Sequence, residues 1–352
     1  MMDILLTSTA RRIDFVEYFQ EAYKKLGIEG NVITADPDSN APSLQQGDIS
    51  YVTPHQAQPE YVDAILSICE KHPIKGIIPI NDLEISLLAN NRKQLESRGI
   101  FLFTSYPDVV DKMRDKGKYE EVLGAFGVKT PRTFTSLESA VRAVDKKEIL
   151  FPLILKPRNG QASIGVETAS SVKELNNAYS RAVENIKGTF LNQAAVEKPE
   201  NNIIIQEAVK GEKFSVDIFN NLQGEYTASF IRKQLAMRGG DVDQCKTVEN
   251  NDLTELAEKI GTHLGHIGYI NTDVYYNGEN YYVIDMNPRI GGGYSFSHEA
   301  GADIPAVISA MLTGREINPE WLSQEAEIEY ARHDRAVPLY KQTLKKKQLM
   351  TT

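Results

Sequence analysis

Short apolar runs alternate with amphipathic stretches over the first hundred residues. Ile4–Leu6, Asn31–Asp36, Lys75–Ile80 and Ile100–Phe103 read as strands. Between them, Ile13–Leu26 sets Phe15, Tyr18, Phe19 and Tyr23 at helical spacing, and Tyr61–Glu70 and Leu83–Arg98 follow the same period. Such alternation means βαβ units on a parallel sheet, whose strands are buried on both faces and therefore nearly all apolar, as IIPI (77–80) and IFLF (100–103) are. Residues 1–110 thus predict an open, Rossmann-like α/β domain.

The pattern changes after that point. Residues 111–127, DKMRDKGKYEEVLGAFG, read as one helix stopped at Gly127, with Pro131 just beyond. FPLILKP (151–157), IIIQEAV (203–209) and KFSVDIF (213–219) are strand-like, and Val172–Asn185 and Asp252–Leu264 are helical. TDVYY (272–276) and YYVIDMN (281–287) flank Asn277-Gly278, a strong hairpin signal. This half is α+β with antiparallel character. The last residues, KQTLKKKQLMTT, read as a lysine-rich, solvated tail.

Composition narrows the classes. The chain has 352 residues, ordinary apolar (41%) and charged (25%) fractions, and 39 basic against 48 acidic side chains, for a net charge of −9. Nucleic acid and anionic membranes need a positive field, so neither is expected as a partner. Two cysteines, Cys69 and Cys245, are too few for a disulfide framework or a four-thiolate zinc site. The sequence lacks a run of about 20 apolar residues and an apolar signal core at its start, so a soluble cytoplasmic protein is expected.

Asp36 ends the second strand where a dinucleotide-binding acid would sit, but the turn after the first strand, Thr7–Arg12, contains no glycine to let a pyrophosphate approach. Asp36 is then a strand-end cap, and the hydroxyl- and arginine-rich turn either faces a substrate anion or is a solvated loop. Lys156 closes an apolar strand and is followed by a loop in which Gly160 and Gly165 bracket Gln161–Ile164, Ser163 among them. Such a loop can turn its N–H groups onto a phosphate, although it is not a Walker sequence. Asp285 and Asn287 project from one face of a strand while Ile284 and Met286 face the core, a pair suited to Mg²⁺. Asp273 on the partner strand adds a third oxygen only if the hairpin has a three- or five-residue loop or a bulge, because a two-residue turn sets it on the opposite face. Arg289, past the Asn-Pro step, is placed to stabilise a phosphoryl group in transfer.

In order and spacing these segments resemble the ATP-grasp superfamily of carboxylate–amine ligases, in its carbamoyl-phosphate-synthase-like and amino-acid-ligase branches, over nearly the whole chain. The resemblance implies a pre-ATP-grasp domain at 1–110 and a two-lobed ATP-grasp module at 111–316, with a mobile small lobe at about 130–208. A C-terminal extension, 317–352, would follow. Lys116 in the DK pair would be the first nucleotide lysine, and Lys156 the second, with Ser163 and Gly165 in a lid over the phosphates. Glu207 and the backbone at Val209 would hold adenine. Asp273, Asp285 and Asn287 would hold Mg²⁺, one ion or two, with Mn²⁺ as a substitute, and Arg289 and Lys156 would be catalytic.

Two departures stand out. Asp285 replaces the usual Glu, and Lys213 occupies the position of a ribose-binding acid, leaving Glu212 as the substitute on the other strand face. The implied reaction joins a small-molecule carboxylate to an amine through an acyl phosphate with release of ADP, in a chain that can form a homodimer. The alternatives are an activity that stops at a phosphorylated product, of carbamoyl-phosphate type, and a non-catalytic ATP-binding accessory protein. A complete carbamoyl-phosphate synthase needs two such halves, which argues against that literal activity. On the acceptor side, Arg238 is the candidate for a substrate carboxylate, and Tyr294, Ser297 and His298 are candidate lining residues, His298 being equally readable as a structural hydrogen-bonder. His263 and His266 read as packing or surface residues, and Trp321 and the pairs Tyr275-Tyr276 and Tyr281-Tyr282 as packing.

Overall fold

Three sheets organise the chain in this computed structural model, which describes residues 1–160, 165–187, 199–339 and the backbone of 349–351. The first is parallel and starts with β1 (Asp3–Thr7), α1 (Ile13–Leu26), β2 (Val32–Asp36), β3 (Ile49–Val52) and α2 (Tyr61–Lys71). It continues with β4 (Ile74–Pro79), α3 (Asp82–Asn90), α4 (Arg92–Glu96) and β5 (Phe101–Leu102). Strand order is β3-β2-β1-β4-β5, and the alternation of helices and apolar strands is what places its helices on both faces. The helix expected over 83–98 is split at Asn91, whose side-chain amide donates to the Leu87 carbonyl at 2.9 Å and competes with the next turn.

The helix expected over 111–127 is also two pieces, α5 (Pro107–Arg114) and α6 (Tyr119–Gly124), joined by a 3₁₀ turn at Lys116–Lys118. Asp115 makes the break. Its carboxylate accepts from the Gly117 N–H at 2.9 Å and from Arg158 Nε and Nη2 at 2.9 and 2.6 Å. A second, four-stranded sheet follows, built from β6 (Thr133–Phe134), α7 (Leu137–Asp145), β7 (Leu153–Pro157), β8 (Glu167–Ala169), α8 (Val172–Lys187) and β9 (Ile203–Glu207), in the order β6-β9-β7-β8. Its core lies between the sheet and the helices α7 and α8.

The third sheet carries β10 (Glu212–Asn220), β11 (Tyr226–Arg238), β12 (Asp241–Thr247), α9 (Asn251–Leu264), β13 (Gly268–Tyr276) and β14 (Tyr281–Asn287). After α10 (Tyr294–Glu299) and α11 (Ile304–Thr313), β15 (Glu329–Ala331) completes the antiparallel order β14-β13-β10-β11-β12-β15. Residues past 316, expected as an extension, therefore belong to the body: Trp321 and Leu322 pack on the core and β15 pairs with β12. The last strand, β16 (Leu349–Thr351), pairs in parallel with β3, so the end of the expected solvated tail adds to the first sheet.

One core joins the first and third sheets. Phe15, Tyr18 and Phe19 of α1 pack with Phe219, Phe230, Tyr269, Tyr294, Ile304 and Val307. Each large apolar side chain so buried contributes about 1.5–3 kcal/mol, enough to fix the loops after β1 and β14 against one another. Among the described residues no helix is long and apolar enough to cross a membrane.

Candidate functional site

Alternation along β10 and β13 divides the third sheet into two faces. Phe214, Val216, Ile218, Ile270 and Val274 join the core under α9, which leaves Lys213, Ser215, Asp217, Asn271 and Asp273 on the other side. The register sets Ser215 opposite both Arg232 and Asp273, and Asp217 opposite Asn271. At the centre of this polar face Arg232 and Asp217 form an ion pair at 2.6 Å, with side chains only 1% and 0% exposed. Asp217 also accepts from Asn271 at 2.6 Å and from the Tyr269 hydroxyl.

The β13–β14 hairpin aligns the acids through a bulge. Tyr276 faces Tyr281 across the loop 277–280, where the Asn277 carboxamide accepts the N–H groups of Glu279 and Asn280. A four-residue loop alone would leave Asp273 and Asp285 on opposite faces. The register shifts after Asp273, so that Asp273 faces Asp285 while Val274 faces Val283, and Ile284 is the extra residue. The bulge also moves the core positions: Val283 and Met286 are buried, and Ile284, expected inward, is only half-buried. Asn287 pairs with Asn271 further along the same strand.

Lysines from three elements surround this stretch of the hairpin, two of them on its acids. Lys116, lifted by the 3₁₀ turn, contacts Asp285 Oδ1 at 2.8 Å and donates to the Gly160 carbonyl at 2.9 Å. Lys156 on β7 donates to the Ile284 carbonyl at 3.1 Å, the carbonyl turned out by the bulge. Lys213 meets Asp273 Oδ2 at 2.9 Å, and Gln234 donates to the other oxygen at 3.0 Å. Burial, and then the Lys116 charge, push the Lys156 ammonium down to about 8. Burial works against the charge of Lys213 too, but Asp273 more than offsets it and holds the ammonium above its ordinary value.

Arg289 follows β14 and points at the first domain, where its Nη2 meets Asp82 Oδ2 at 2.6 Å. Burial alone would raise the Asp82 carboxyl, but Arg289 and Arg114 hold it below the ordinary value. The Nε of Arg289 is buried without a hydrogen-bond partner. The arrangement is a polar face of carboxylate and amide oxygens with three ammonium groups on it and one guanidinium held from the first domain. Such a set suits an anion that itself carries a divalent cation.

Residues 4–103 match the family described as PylC-like, N-terminal domain, and residues 199–334 match the family described as ATP-grasp in the biosynthetic pathway with Ter operon. The chain carries an ATP-grasp fold. Solved structures similar to this chain include a Campylobacter jejuni biotin carboxylase in complex with β,γ-ATP, at TM-score 0.72 and 18% identity, covering 91% of this chain and 73% of that one. Thermotoga maritima N5-carboxyaminoimidazole ribonucleotide synthetase aligns at TM-score 0.64 and 19% identity, over 94% of this chain and 79% of that one. The carbamoyl phosphate synthase large chain of Clostridium beijerinckii is 23% identical over 310 residues, 84% of this chain. That of Vibrio parahaemolyticus is 22% identical over 317 residues, 86% of this chain. The chain spans about a quarter of the length of these curated relatives, 27% of each.

The other residues singled out from the sequence have the following surroundings. Glu207 ends β9 with its carboxylate accepting from the Arg132 N–H at 3.0 Å, and Val209 lies half-buried in the link to β10. Glu212 is exposed, ion-paired with Lys233 on the face opposite Lys213. Alternation along β10 dictates that outcome. Ser163 lies outside the described residues, and Gly165 enters β8 with φ of +72°. Arg238 is not a carboxylate anchor in the site: it is exposed at the β11–β12 turn, bound to Asp243 and Asp334, each at 2.9 Å. Tyr294 is a core residue, 0% exposed, its hydroxyl bonded to the Ala302 carbonyl at 3.1 Å and the Ile304 N–H at 2.8 Å. Its partner His298 stacks on Tyr18, with ring centroids 3.6 Å apart. Ser297 is buried between Arg232 and Gln324.

The sequence reading passed over Asp217, Arg232 and Gln234. The signal was available for Asp217, which continues the Lys213–Ser215 alternation. For Arg232 it was not, because β11 carries charge on both faces and hides its period.

Proposed function

We propose that this chain is an ATP-dependent ligase that joins a small-molecule carboxylate to an amine and releases ADP and phosphate. The observation that carries the reading is the approach of Lys116 and Lys213 to two carboxylates that a bulge brings face to face, with Lys156 on the neighbouring Ile284 carbonyl and Arg289 just beyond the strand. A carboxylate oxygen attacks the γ-phosphorus of ATP, the β–γ bridging bond breaks, and ADP leaves. The amine then attacks the acyl carbon, phosphate departs, and the amine loses its proton. The protein needs to supply position and charge rather than a covalent group.

The donor set of Asp273, Asp285 and Asn287 fits Mg²⁺, or Mn²⁺ in its place, because such an ion takes few protein ligands and completes its shell with phosphate oxygens and water. When bound, the ion would neutralise phosphate charge. Lys116 and Lys156 would bind the nucleotide phosphates, and Arg289, oriented by Asp82, would hold the transferring group. On this reading the protein works in the cytoplasm. A homodimer belongs to it as well, since the similar biotin carboxylase domain of Hydrogenobacter thermophilus 2-oxoglutarate carboxylase is described as a dimer with MgADP.

The test is ADP release by the full-length chain over pairs of amino acids and other small carboxylates. Release is expected only when a carboxylate and an amine are both present. Arg289→Ala is expected to lower turnover by about 10²–10³-fold while MgATP binding persists. Release without an amine would select the phosphorylating alternative, and tight MgATP binding without release in any pair would select the accessory one. Wild-type turnover in Arg289→Ala would remove Arg289 from the mechanism.

A further inference from the structure

The Thr7–Arg12 turn is held in an unusual shape. Ser8 and Ala10 lie in left-handed backbone, with φ of 53° and 43°, where side-chain-bearing residues rarely settle. Five side-chain hydrogen bonds keep it there. Asp36 Oδ2 accepts the Ala10 N–H at 2.6 Å, and Ser43 donates to the Ala10 carbonyl at 2.7 Å. Thr9 shares a 2.7 Å hydrogen bond with Ser43, Gln56 donates to Ser8 at 2.6 Å, and Ser8 donates to the buried Glu84 at 2.8 Å. The product of this bracing is the position of Arg12, whose Nη2 crosses to the third sheet and meets Asp241 Oδ2 at 2.7 Å.

Gly292 lies beneath that contact. A Cβ there would fall 2.1 Å from Arg12 Nη2 and 2.6 Å from Asp241 Oδ1, so the backbone is close to both groups. Arg332 enters from the other side, its Nη2 donating to the Gly292 carbonyl at 2.6 Å and its Nε to the Val242 carbonyl at 3.4 Å. Burial alone would raise the Asp241 carboxyl, but Arg12 and then Arg332 hold it below its ordinary value. Among the described residues Arg332 has no carboxylate partner of its own. Arg12 and Asp241 remain partly open to solvent, at 22% and 34%. Around Gly292 two guanidinium groups, those of Arg12 and Arg332, thus share Asp241, and one positive charge is left over beside the glycine backbone, while Arg289 and Arg114 share Asp82.

We propose that Arg12 and Arg332 form the recognition site for the carboxylate of a small monoanionic or zwitterionic substrate, with Asp241 as an internal carboxylate that competes for Arg12. This rests on the ligase reading above and names the side of the site that takes the carboxylate substrate. The planar guanidinium fork matches a carboxylate in two-point contact, and the Asp241 contact displays that match. The leftover charge favours a single carboxylate over a phosphate dianion.

A purely structural ion pair and a binding site make different predictions for its two partners. Breaking the pair from either end would cost stability alike. Ligand affinity, in contrast, should fall when Arg12 is removed and rise when its competitor is removed. The experiment is calorimetric titration of the full chain, saturated with MgADP, with acetate, L-lactate, L-alanine and L-glutamate in turn. At least one should bind the wild type. Arg12→Gln and Arg332→Gln should each weaken it tenfold or more, Asp241→Asn should tighten it severalfold, and Arg238→Ala should leave it unchanged. MgADP affinity should stay within twofold throughout.

The proposal is overturned if Arg12→Gln binds as the wild type does, if Asp241→Asn weakens binding as Arg12→Gln does, or if none of the four binds a chain that holds MgADP. Loss of MgADP binding by the wild type would instead count against the ligase reading. The same opposed signs, measured without nucleotide, would still decide the role of Arg12.

Discussion

Replacing Asp217 by Asn would leave the guanidinium of Arg232 buried without a counter-charge. Both side chains are sealed, at 0% and 1% exposure, and their contact is 2.6 Å. Asn keeps the shape of Asp and can still meet the Tyr269 hydroxyl, but it turns a charge-assisted contact into a neutral one. Removing one partner of a buried ion pair costs about 3–5 kcal/mol, which is a large share of a net stability of about 5–15 kcal/mol. The single tryptophan, Trp321, packs on the same core as Phe230 and Tyr269, so its fluorescence reports on this part of the molecule. In equilibrium urea unfolding the midpoint of Asp217→Asn should fall by about 1–2 M. The double variant Asp217→Asn with Arg232→Met removes the stranded charge and should recover most of that loss. A fall worth less than about 1 kcal/mol for the single change, or a double variant as unstable as the two losses summed, would refute the reasoning.

Two further outcomes test the site. Lys156 is charged only below about 8, so its attraction for nucleotide phosphates is present at lower pH and lost as pH rises through that value. MgATP binding should therefore weaken severalfold between pH 7 and 9 in the wild type and be weaker but flat in Lys156→Gln; a flat wild-type profile would remove Lys156 from the nucleotide site. Gly292→Ala places its Cβ against the ends of two flexible side chains, Arg12 and Asp241. It should shift thermal unfolding by only a few degrees while weakening carboxylate binding about as much as Arg12→Gln, as melting and calorimetry on the same protein would show.

What could be read from the chain follows from where a single period rules. β1, β2 and β4 sit between two layers of helix and are apolar at nearly every position, so their runs announce them. α1, α2, α8 and α9 show a clean helical stripe for the complementary reason. β11 and β12 escape because one face packs, one face carries the site, and their far ends are solvated, so apolar and charged residues fall on both faces. The breaks at Asn91 and Asp115 are equally hidden, since local side-chain hydrogen bonds overrule a helical period that continues on either side.

The facing of Asp273 and Asp285 was legible through strand alternation together with a register argument that called for a three- or five-residue loop or a bulge, and the bulge is present at Ile284. The carboxylate side was not. Arg12, Asp241 and Arg332 are more than 200 residues apart at the extremes, and only the fold brings them to Gly292. Local composition drew attention to Arg238, whose neighbours Asp243 and Asp334 already satisfy it.

The aromatic seam between α1 and the third sheet bears on how this molecule can be dissected. Phe15, Tyr18 and Phe19 share their core with residues that arrive only after position 218, Tyr294 lying against Phe15 and Tyr18. A fragment ending near residue 110 would therefore display an oily helix face and should self-associate rather than fold as a clean unit. The boundary that reads most plainly in the sequence is not a place to cut. Any shortened version has to carry the stretch from Phe219 to Val307 along with the first domain.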